Sequence, residues 1–362
     1  MNLNTNSSKK ILFLYAELAQ YFISCVNSLK ENYDVEIHIV RWEVNEHAPF
    51  NFHVTDGIII DNRGNFNRSS LLDLALNFDP DLIFCSGWMD KDYLKVCKEF
   101  RDKIPIVVGM DNQWDGGIKQ QLARLVSDWT VQKWFSHAWV AGGPQKEYAL
   151  KLGFDESHIL EGVYSADYTY FAEQFGNTIA SKENELPHRF LYVGRYIERK
   201  GIEDLWEAFS KLCEETETDW ELWCCGTGPL EEAAAQHPQI KHCGFVQPKE
   251  MEKVITETSV FVLPSHKEPW GVVVHEFAAA GYSLICSDQI GAATQFLEEG
   301  ENGYHFEARN SENLKEQMKK IISKSDEALV KMGKKSFEIA SRNTPSIWAN
   351  KLMDITKEIE RE

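Results

Sequence analysis

The run Val262-Leu263-Pro264-Ser265-His266-Lys267-Glu268-Pro269-Trp270-Gly271-Val272-Val273-Val274-His275-Glu276-Phe277-Ala278-Ala279-Ala280-Gly281 decides how the chain is read. An apolar strand stops at Pro264, a loop carries Glu268, and an apolar helix follows. Pro269 suits the start of that helix because its missing N–H costs nothing there. This is the strand-to-helix step of a parallel sheet. Glu268 stays on the loop, Glu276 falls inside the helix, and the amides around Gly271, Val272 and Val273 face whatever occupies the loop. Two carboxylates flanking open amides suit a polyhydroxy ligand, since each can accept from adjacent hydroxyls of a sugar or ribose. The competing reading of Glu268 is a helix-capping carboxylate. For Glu276 the neighbours Val272, Val273, Phe277 and Ala280 read as buried, and a buried unpaired carboxylate is costly, so something polar is expected to meet it.

Moving outward, the same step recurs along the chain. In the first half, strands are expected at Ile11–Tyr15, Val35–Val40, Gly57–Ile60, Leu82–Cys85, Ile104–Val108 and Ala138–Val140, with helical periods at Leu18–Lys30, Tyr93–Arg101 and Ile118–Phe135. In the second half, strands are expected at Phe190–Val193, Trp220–Cys225, Val260–Leu263 and Ser283–Cys286. Between the halves the pattern fades, and Asn177 to Pro187 reads as an exposed linker. The organisation expected is a first doubly wound domain over residues 1–170, a linker over 171–187, a second domain over 188–345 and a C-terminal helix over 346–362 that crosses back to the first domain. Trp348 and Leu352 are its expected anchors. Two such halves would leave a cleft between the carboxyl ends of their sheets, where ligands of these folds bind.

The 362 residues carry 38 Lys and Arg against 56 Asp and Glu, a formal charge of −18. That balance repels nucleic acid and anionic lipid, so any phosphate must meet a few well-placed cations. The polar start Met1–Lys10 leads into Ile11–Tyr15, an apolar run too short for a signal peptide or a membrane span, and it reads as a first strand. Eight cysteines, none in a C-x-x-C pair, read as buried thiols of a reducing compartment. The protein is expected to be cytoplasmic. Lys91, Lys95, Lys98 and Arg101 could touch anionic lipid, but they alternate with Asp90, Asp92, Glu99 and Asp102 as a solvated face does.

Two further strand ends carry chemistry. Gly194-Arg195-Tyr196-Ile197-Glu198-Arg199-Lys200-Gly201 places Arg195 after a glycine and Lys200 just before a helix, so both can meet an anion near the helix N-terminus. The alternative is two surface cations partnered by Glu198. Cys225-Gly226-Thr227-Gly228-Pro229-Leu230 reads as a tight turn opening a helix, but Pro229 and a missing third glycine depart from the dinucleotide fingerprint. Gly244-Phe245-Val246 is a similar turn.

Together these segments resemble the retaining GT-B glycosyltransferases of family 4, the glycosyl transferases group 1. The likeness rests on G-R-x-x-x-x-K-G from Gly194 to Gly201, G-x-G-P from Gly226 to Pro229, G-F-V from Gly244 to Val246 and E-x7-E from Glu268 to Glu276, in that order over Phe190 to Phe306. Gly162-Val163-Tyr164-Ser165-Ala166-Asp167 with Phe171 looks like a degraded junction motif of the same family. The resemblance implies an α/β GT-B architecture of two Rossmann-like sheets facing across a cleft. It implies a nucleotide-diphosphate sugar donor, a UDP- or GDP-sugar, with no cofactor. Arg195 and Lys200 would bind the diphosphate, Glu276 the ribose, Glu268 with the amides near Gly271 the sugar, and backbone at Phe245 and Val246 the base, with Trp270 among the donor-binding residues. Leaving-group charge would be neutralised by side chains, so no metal is expected.

The first domain departs from the family's pattern. Tyr15-Ala16-Glu17-Leu18 stands where a glycine-rich loop is usual, and Asp111 stands near the place of a customary His. Asp111 is the candidate polar group near the reacting centre, with a turn or helix cap as the alternative. The activity implied is sugar transfer with retention of configuration to a glycan, lipid-linked or small-molecule acceptor, as in polysaccharide biosynthesis, with at most weak contact with the inner face of a membrane. The competing readings are a non-catalytic nucleotide-sugar-binding protein and an NAD-dependent oxidoreductase.

Overall fold

The computed structural model describes residues 8–43, 53–247 and 250–358. The polar start, residues 1–7, and residues 359–362 of the expected last helix lie outside them. The chain forms two compact units, one of Met1–Asp167 with Asn343–Glu362 and the other of Tyr168–Arg342.

The first unit contains β1 (Lys9–Tyr15), β2 (Val35–Arg41), β3 (Ile58–Asn62), β4 (Leu82–Cys85), β5 (Ile106–Met110), β6 (His137–Val140) and β7 (Ile159–Glu161). They form one parallel sheet in the order β3-β2-β1-β4-β5-β6-β7. The central strands are apolar without alternation, as both faces being covered by helices requires. The helix Pro345–Glu358 belongs to this unit. Trp348 and Leu352 are fully buried there, the Trp348 ring stacks on Trp139 at 4.9 Å, and its Nε1–H donates to the Val163 carbonyl at 2.9 Å.

The second unit contains β8 (Arg189–Val193), β9 (Glu221–Cys225), β10 (Ile240–Gly244), β11 (Val260–Leu263), β12 (Ser283–Ser287) and β13 (Gly303–Phe306). Its sheet is also parallel, in the order β10-β9-β8-β11-β12-β13. The chain runs outward from β8 to β10, then returns to lay β11 on the other side of β8. At that reversal the connections leave on opposite faces, and a crevice opens at the carboxyl ends of β8 and β11.

Four local expectations are corrected. Residues 171–187 are largely helical, within the helix Tyr168–Asn184. Its polar residues conceal an inward row, Phe171, Gln174, Thr178 and Lys182, and Phe175 stacks on Phe337 at 4.2 Å. Packing supplies the period that composition hides. Ile118–Phe135 is not one helix but the pieces Ile118–Leu125, a 3₁₀ turn Ser127–Trp129 and Val131–Trp134, broken where Val126 and Thr130 leave helical dihedrals. No α-helix opens at Gly226–Leu230; only a 3₁₀ turn, Glu231–Ala233, follows, because Gly228 at φ +155° lies outside helical space. Pro269 does not start its helix either. That helix is Val272–Ala279 with Gly271 as N-cap at φ +90°.

Candidate functional site

The loops that leave β8, β9, β10, β11 and β12 interlock at the carboxyl edge of the second sheet. Gly226 N–H donates to Gly244 O at 2.8 Å, Gly194 N–H to Cys225 O at 3.0 Å, and Tyr196 N–H to Thr227 O at 2.9 Å. Glycine is needed where backbones nearly touch. A Cβ on Gly226, at φ +151°, would sit 1.8 Å from the Gly194 carbonyl oxygen, and one on Gly201, at φ +64°, 2.1 Å from that of Pro264. The β8 loop thereby lies flat on the β11 loop. His266 N–H donates to Arg199 O at 2.9 Å, Arg199 Nη1 to Lys267 O at 3.0 Å, and His266 pairs through Nε2 with Asp204 at 2.7 Å.

Within this frame Lys200 Nζ forms an ion pair with Glu268 Oε2, both side chains being largely buried. The backbone that carries this carboxylate is set by the β12 loop: Glu268 N–H donates to Gln289 O at 3.0 Å, and Gly291 N–H donates to the Glu268 backbone carbonyl at 3.1 Å. Two simpler readings of the sequence fall away. Glu198 pairs with Arg309 rather than with Arg195 or Lys200, and Glu268 does not cap a helix, since Gly271 is the N-cap and receives no side-chain cap. Arg195 is exposed and has no ion-pair partner among the described residues, while Tyr192 Oη donates to its carbonyl at 2.9 Å and so fixes the backbone beneath it. A guanidinium, an ammonium and a carboxylate thus stand near a helix start, an arrangement suited to an anion carrying a hydroxylated group.

The helix Val272–Ala279 places Glu276 on its half-buried side, with Val272 and Val273 also only partly buried, so the apolar surroundings expected for Glu276 are incomplete. Val274 N–H closes on Gly271 O at 3.0 Å, and the amides of Val272 and Val273 head the helix before it. Trp270 is buried, its ring edge-on to Phe296 at 6.4 Å, so it supports the loop from below instead of presenting an exposed ring. Gly228 lies against the Tyr196 backbone, where a Cβ would meet its carbonyl oxygen at 2.5 Å, and Pro229 follows in the same turn. Phe245 is half exposed beside Val246. The structure therefore brings Gly194, Arg195, Lys200, Gly226, Gly228, Glu268 and Gly271 into one edge. Sequence reading missed Tyr192, Tyr196, Asp204, His266 and Gln289, which hold it; Tyr196, His266 and Gln289 at least follow strand ends, whereas Tyr192 lies within β8 and Asp204 within the helix Ile202–Glu215.

Asp111 belongs to the first unit, just past β5. Tyr164 Oη donates to its Oδ2 at 3.4 Å and Gln145 Nε2 to its backbone carbonyl at 3.2 Å. It caps no helix, the next one being headed by Gly117. Burial, reinforced by Tyr21 and Asp111, holds the Tyr164 phenol well above its ordinary range, so it remains a donor.

Residues 177–338 match the family model described as Glycosyl transferases group 1. The glycogen synthase of Mycobacterium tuberculosis (strain CDC 1551 / Oshkosh) is 24% identical over 260 residues, covering 67% of this chain and 60% of that protein. The chain thus spans about 60% of the length of the first curated relatives it matches. Among solved structures, Anabaena Alr3699/HepE in complex with UDP and glucose matches with a TM-score of 0.68 at 14% identity, over 97% of this chain and 99% of that one. Sucrose-phosphate synthase from Thermosynechococcus elongatus matches with a TM-score of 0.71 at 15% identity, over 98% and 99%. The two parallel-sheet units of this chain have the GT-B fold.

Proposed function

We propose that the protein is a glycosyltransferase that takes a sugar from a nucleotide-diphosphate sugar and transfers it, with retention and without a metal, to a glycan, lipid-linked or small-molecule acceptor. The observation that carries this reading is the pairing of Lys200 with Glu268 at the reversal of the second sheet, beside Arg195 and the helix headed by Gly271. The group 1 match over residues 177–338 and the UDP named for the HepE complexes support it.

In this reading Arg195 and Lys200 take the diphosphate and neutralise it as it leaves. When the phosphates draw Lys200, Glu268 is released to accept from the sugar hydroxyls, helped by the amides of Val272 and Val273. Glu276 takes the ribose hydroxyls, the Gly226–Gly228 turn and the backbone at Phe245 and Val246 take the base, and Asp111 serves the reacting centre. The protein works in the cytoplasm, on donors of the UDP or GDP type.

Isothermal titration of the full chain with UDP and with GDP tests the reading. Binding is expected to fall about ten- to a hundredfold in Lys200→Ala and in Arg195→Ala, from about 1.5–3 kcal/mol for a charged contact. Glu276→Ala should weaken nucleotide binding as well. Absence of binding by either nucleotide in the wild type would overturn the reading, and donor turnover that survives Lys200→Ala would remove that residue's role.

A further inference from the structure

Two cysteines that the donor site does not use stand directly beneath its glycine turns: Cys225 precedes Gly226, and Cys243 precedes Gly244. The strands β9 and β10 that carry them are neighbours. Their ladder is regular from Ile240 with Leu222 to His242 with Cys224, then skips, so that Cys225 faces Gly244 and Cys243 is the extra residue of a bulge. The bulge brings two thiols together, and that of Cys225 donates to the Cys243 sulfur.

Exposure divides the pair. Cys225 is 2% exposed, whereas Cys243 is only half-buried; of the other six cysteines, Cys213 alone also reaches the surface. Charge divides it further. The hydrogen bond from Cys225 and the Lys241 ammonium, against burial and the Glu257 carboxylate, pull the Cys243 pKa from 9.0 down to about 7. The same bond, with burial, pushes that of Cys225 up. A surface thiolate backed by a protonated thiol is an attacking sulfur with its resolving sulfur already in place. Cys213 lacks this help, since burial raises its pKa, and Cys85 and Cys97 bond to each other but are fully buried.

We infer that Cys225 and Cys243 form a site of reversible oxidation, where a hydroperoxide joins them as a disulfide and the bond weakens nucleotide binding at the adjacent turns. The Cys243 thiolate attacks the peroxide, the O–O bond breaks, and the departing oxygen takes a proton and leaves as an alcohol or water. Cys243 is then a sulfenic acid. The Cys225 sulfur attacks it, the S–O bond breaks, and water departs with the Cys225 proton. Two thiols have given two electrons to the peroxide, and a dithiol reductant returns them. The S–S bond draws the sulfurs closer than thiol contact does. The backbone above has no slack: Gly226 N–H donates to Gly244 O at 2.8 Å, Gly194 N–H to Cys225 O at 3.0 Å, and a Cβ on Gly226 would sit 1.8 Å from Gly194 O. Movement of Cys225 therefore passes to Gly194 and to Arg195 beside it. The effect on nucleotide rests on the donor-site reading proposed above; the disulfide does not.

The test treats the full chain with hydrogen peroxide, alkylates the remaining thiols in denaturant and maps cross-linked peptides by mass spectrometry, with UDP titration before and after. Wild type should yield a Cys225–Cys243 cross-link that dithiothreitol removes, while Cys85 and Cys97 stay reduced. UDP affinity should fall about tenfold, a loss of about 1.4 kcal/mol, and return with the reductant. Reduced Cys243→Ser should bind UDP as reduced wild type does and be indifferent to peroxide. Cys225→Ser should instead accumulate a dimedone-reactive sulfenic acid at Cys243. Wild type that forms no Cys225–Cys243 cross-link overturns the inference, as does equal cross-linking of Cys85 with Cys97, which would leave the exposure of Cys243 without a role. A cross-link that leaves UDP affinity unchanged overturns the control of binding. Reduced wild type that binds neither UDP nor GDP refutes the donor-site reading, whereas the cross-link is still read by mass.

Discussion

Lys200 and Glu268 stand 68 positions apart in the chain and meet as an ion pair at the ends of two neighbouring strands. Strand order alone causes this: β8 and β11 are adjacent only because the sheet reverses between them. Both side chains are largely withdrawn from water, so removing either leaves the other's charge without compensation. Lys200→Met and Glu268→Gln should each lower the unfolding free energy by about 1–3 kcal/mol. The double variant should cost less than the sum, with a coupling of about 0.5–3 kcal/mol. Urea denaturation of the four proteins gives the cycle, and strict additivity would show that the pair contributes no coupling.

Gly201 offers a steric test with its own control. Gly201 and Gly300 both occupy positive φ, +64° and +77°, but a Cβ on Gly300 meets nothing within 4 Å among the described residues, whereas one on Gly201 runs into Pro264 O. Gly300→Ala should cost about 1–2 kcal/mol, the left-handed penalty alone. Gly201→Ala should cost clearly more and weaken UDP binding, because the β8 and β11 loops must part. Equal losses in the two variants, by urea midpoint, would contradict the close approach.

Lys182 lies buried among the helices of the second unit, its Nζ without a hydrogen-bond partner among the described residues and 4.4 Å from the centre of the Tyr282 ring. Burial pulls its pKa from the ordinary 10.5 down to about 7. The unfolded chain therefore binds more protons between pH 7 and pH 10.5, and stability rises with pH across that window. Lys182→Met should stabilise the protein at neutral pH by an amount on the order of a few kcal/mol and should flatten the rise. Thermal melts across the window check both; a variant less stable than wild type at pH 7 would mean that the ammonium–ring contact outweighs desolvation.

His275 acts in the acid range. Its ring is fully buried, stacks on Phe296 at 4.1 Å and bonds through Nε2 to Ala340 O at 3.0 Å, and burial lowers its pKa from 6.5 to about 4. A depressed histidine stabilises the fold above its unfolded pKa and loses that contribution as pH falls from 6.5 toward 4. Wild type should lose on the order of 3 kcal/mol or less over that interval from this residue, and His275→Phe should reduce the loss. Urea midpoints at the two ends of the interval measure it.

The parallel sheets and the site were legible where residues do more than one thing at a strand end. Gly194 to Gly201 and Glu268 to Gly271 combine an apolar strand, a glycine that permits close backbones and a charged side chain, so motif and geometry coincide. The helix Tyr168–Asn184 was illegible because its inward row includes Gln174, Thr178 and Lys182, polar residues that only tertiary packing explains. The break after Leu125 is hidden in the sequence because an apolar ridge carries a helical period whether it faces a core or water. Asp204, His266 and Gln289 hold the site through contacts between loops, which no local pattern encodes.

The stacking of Trp348 on Trp139 places a residue of the last helix inside the unit that the first strands begin. That unit is consequently assembled from two separate stretches of sequence, with all of Tyr168–Arg342 synthesised in between. On the ribosome its tryptophan pair closes only after the second unit has every residue it needs. A fragment ending at Asp167 would leave Trp139 uncovered, so isolating the first unit requires a gene in which Tyr168–Arg342 is deleted and the Pro345–Glu358 helix is kept.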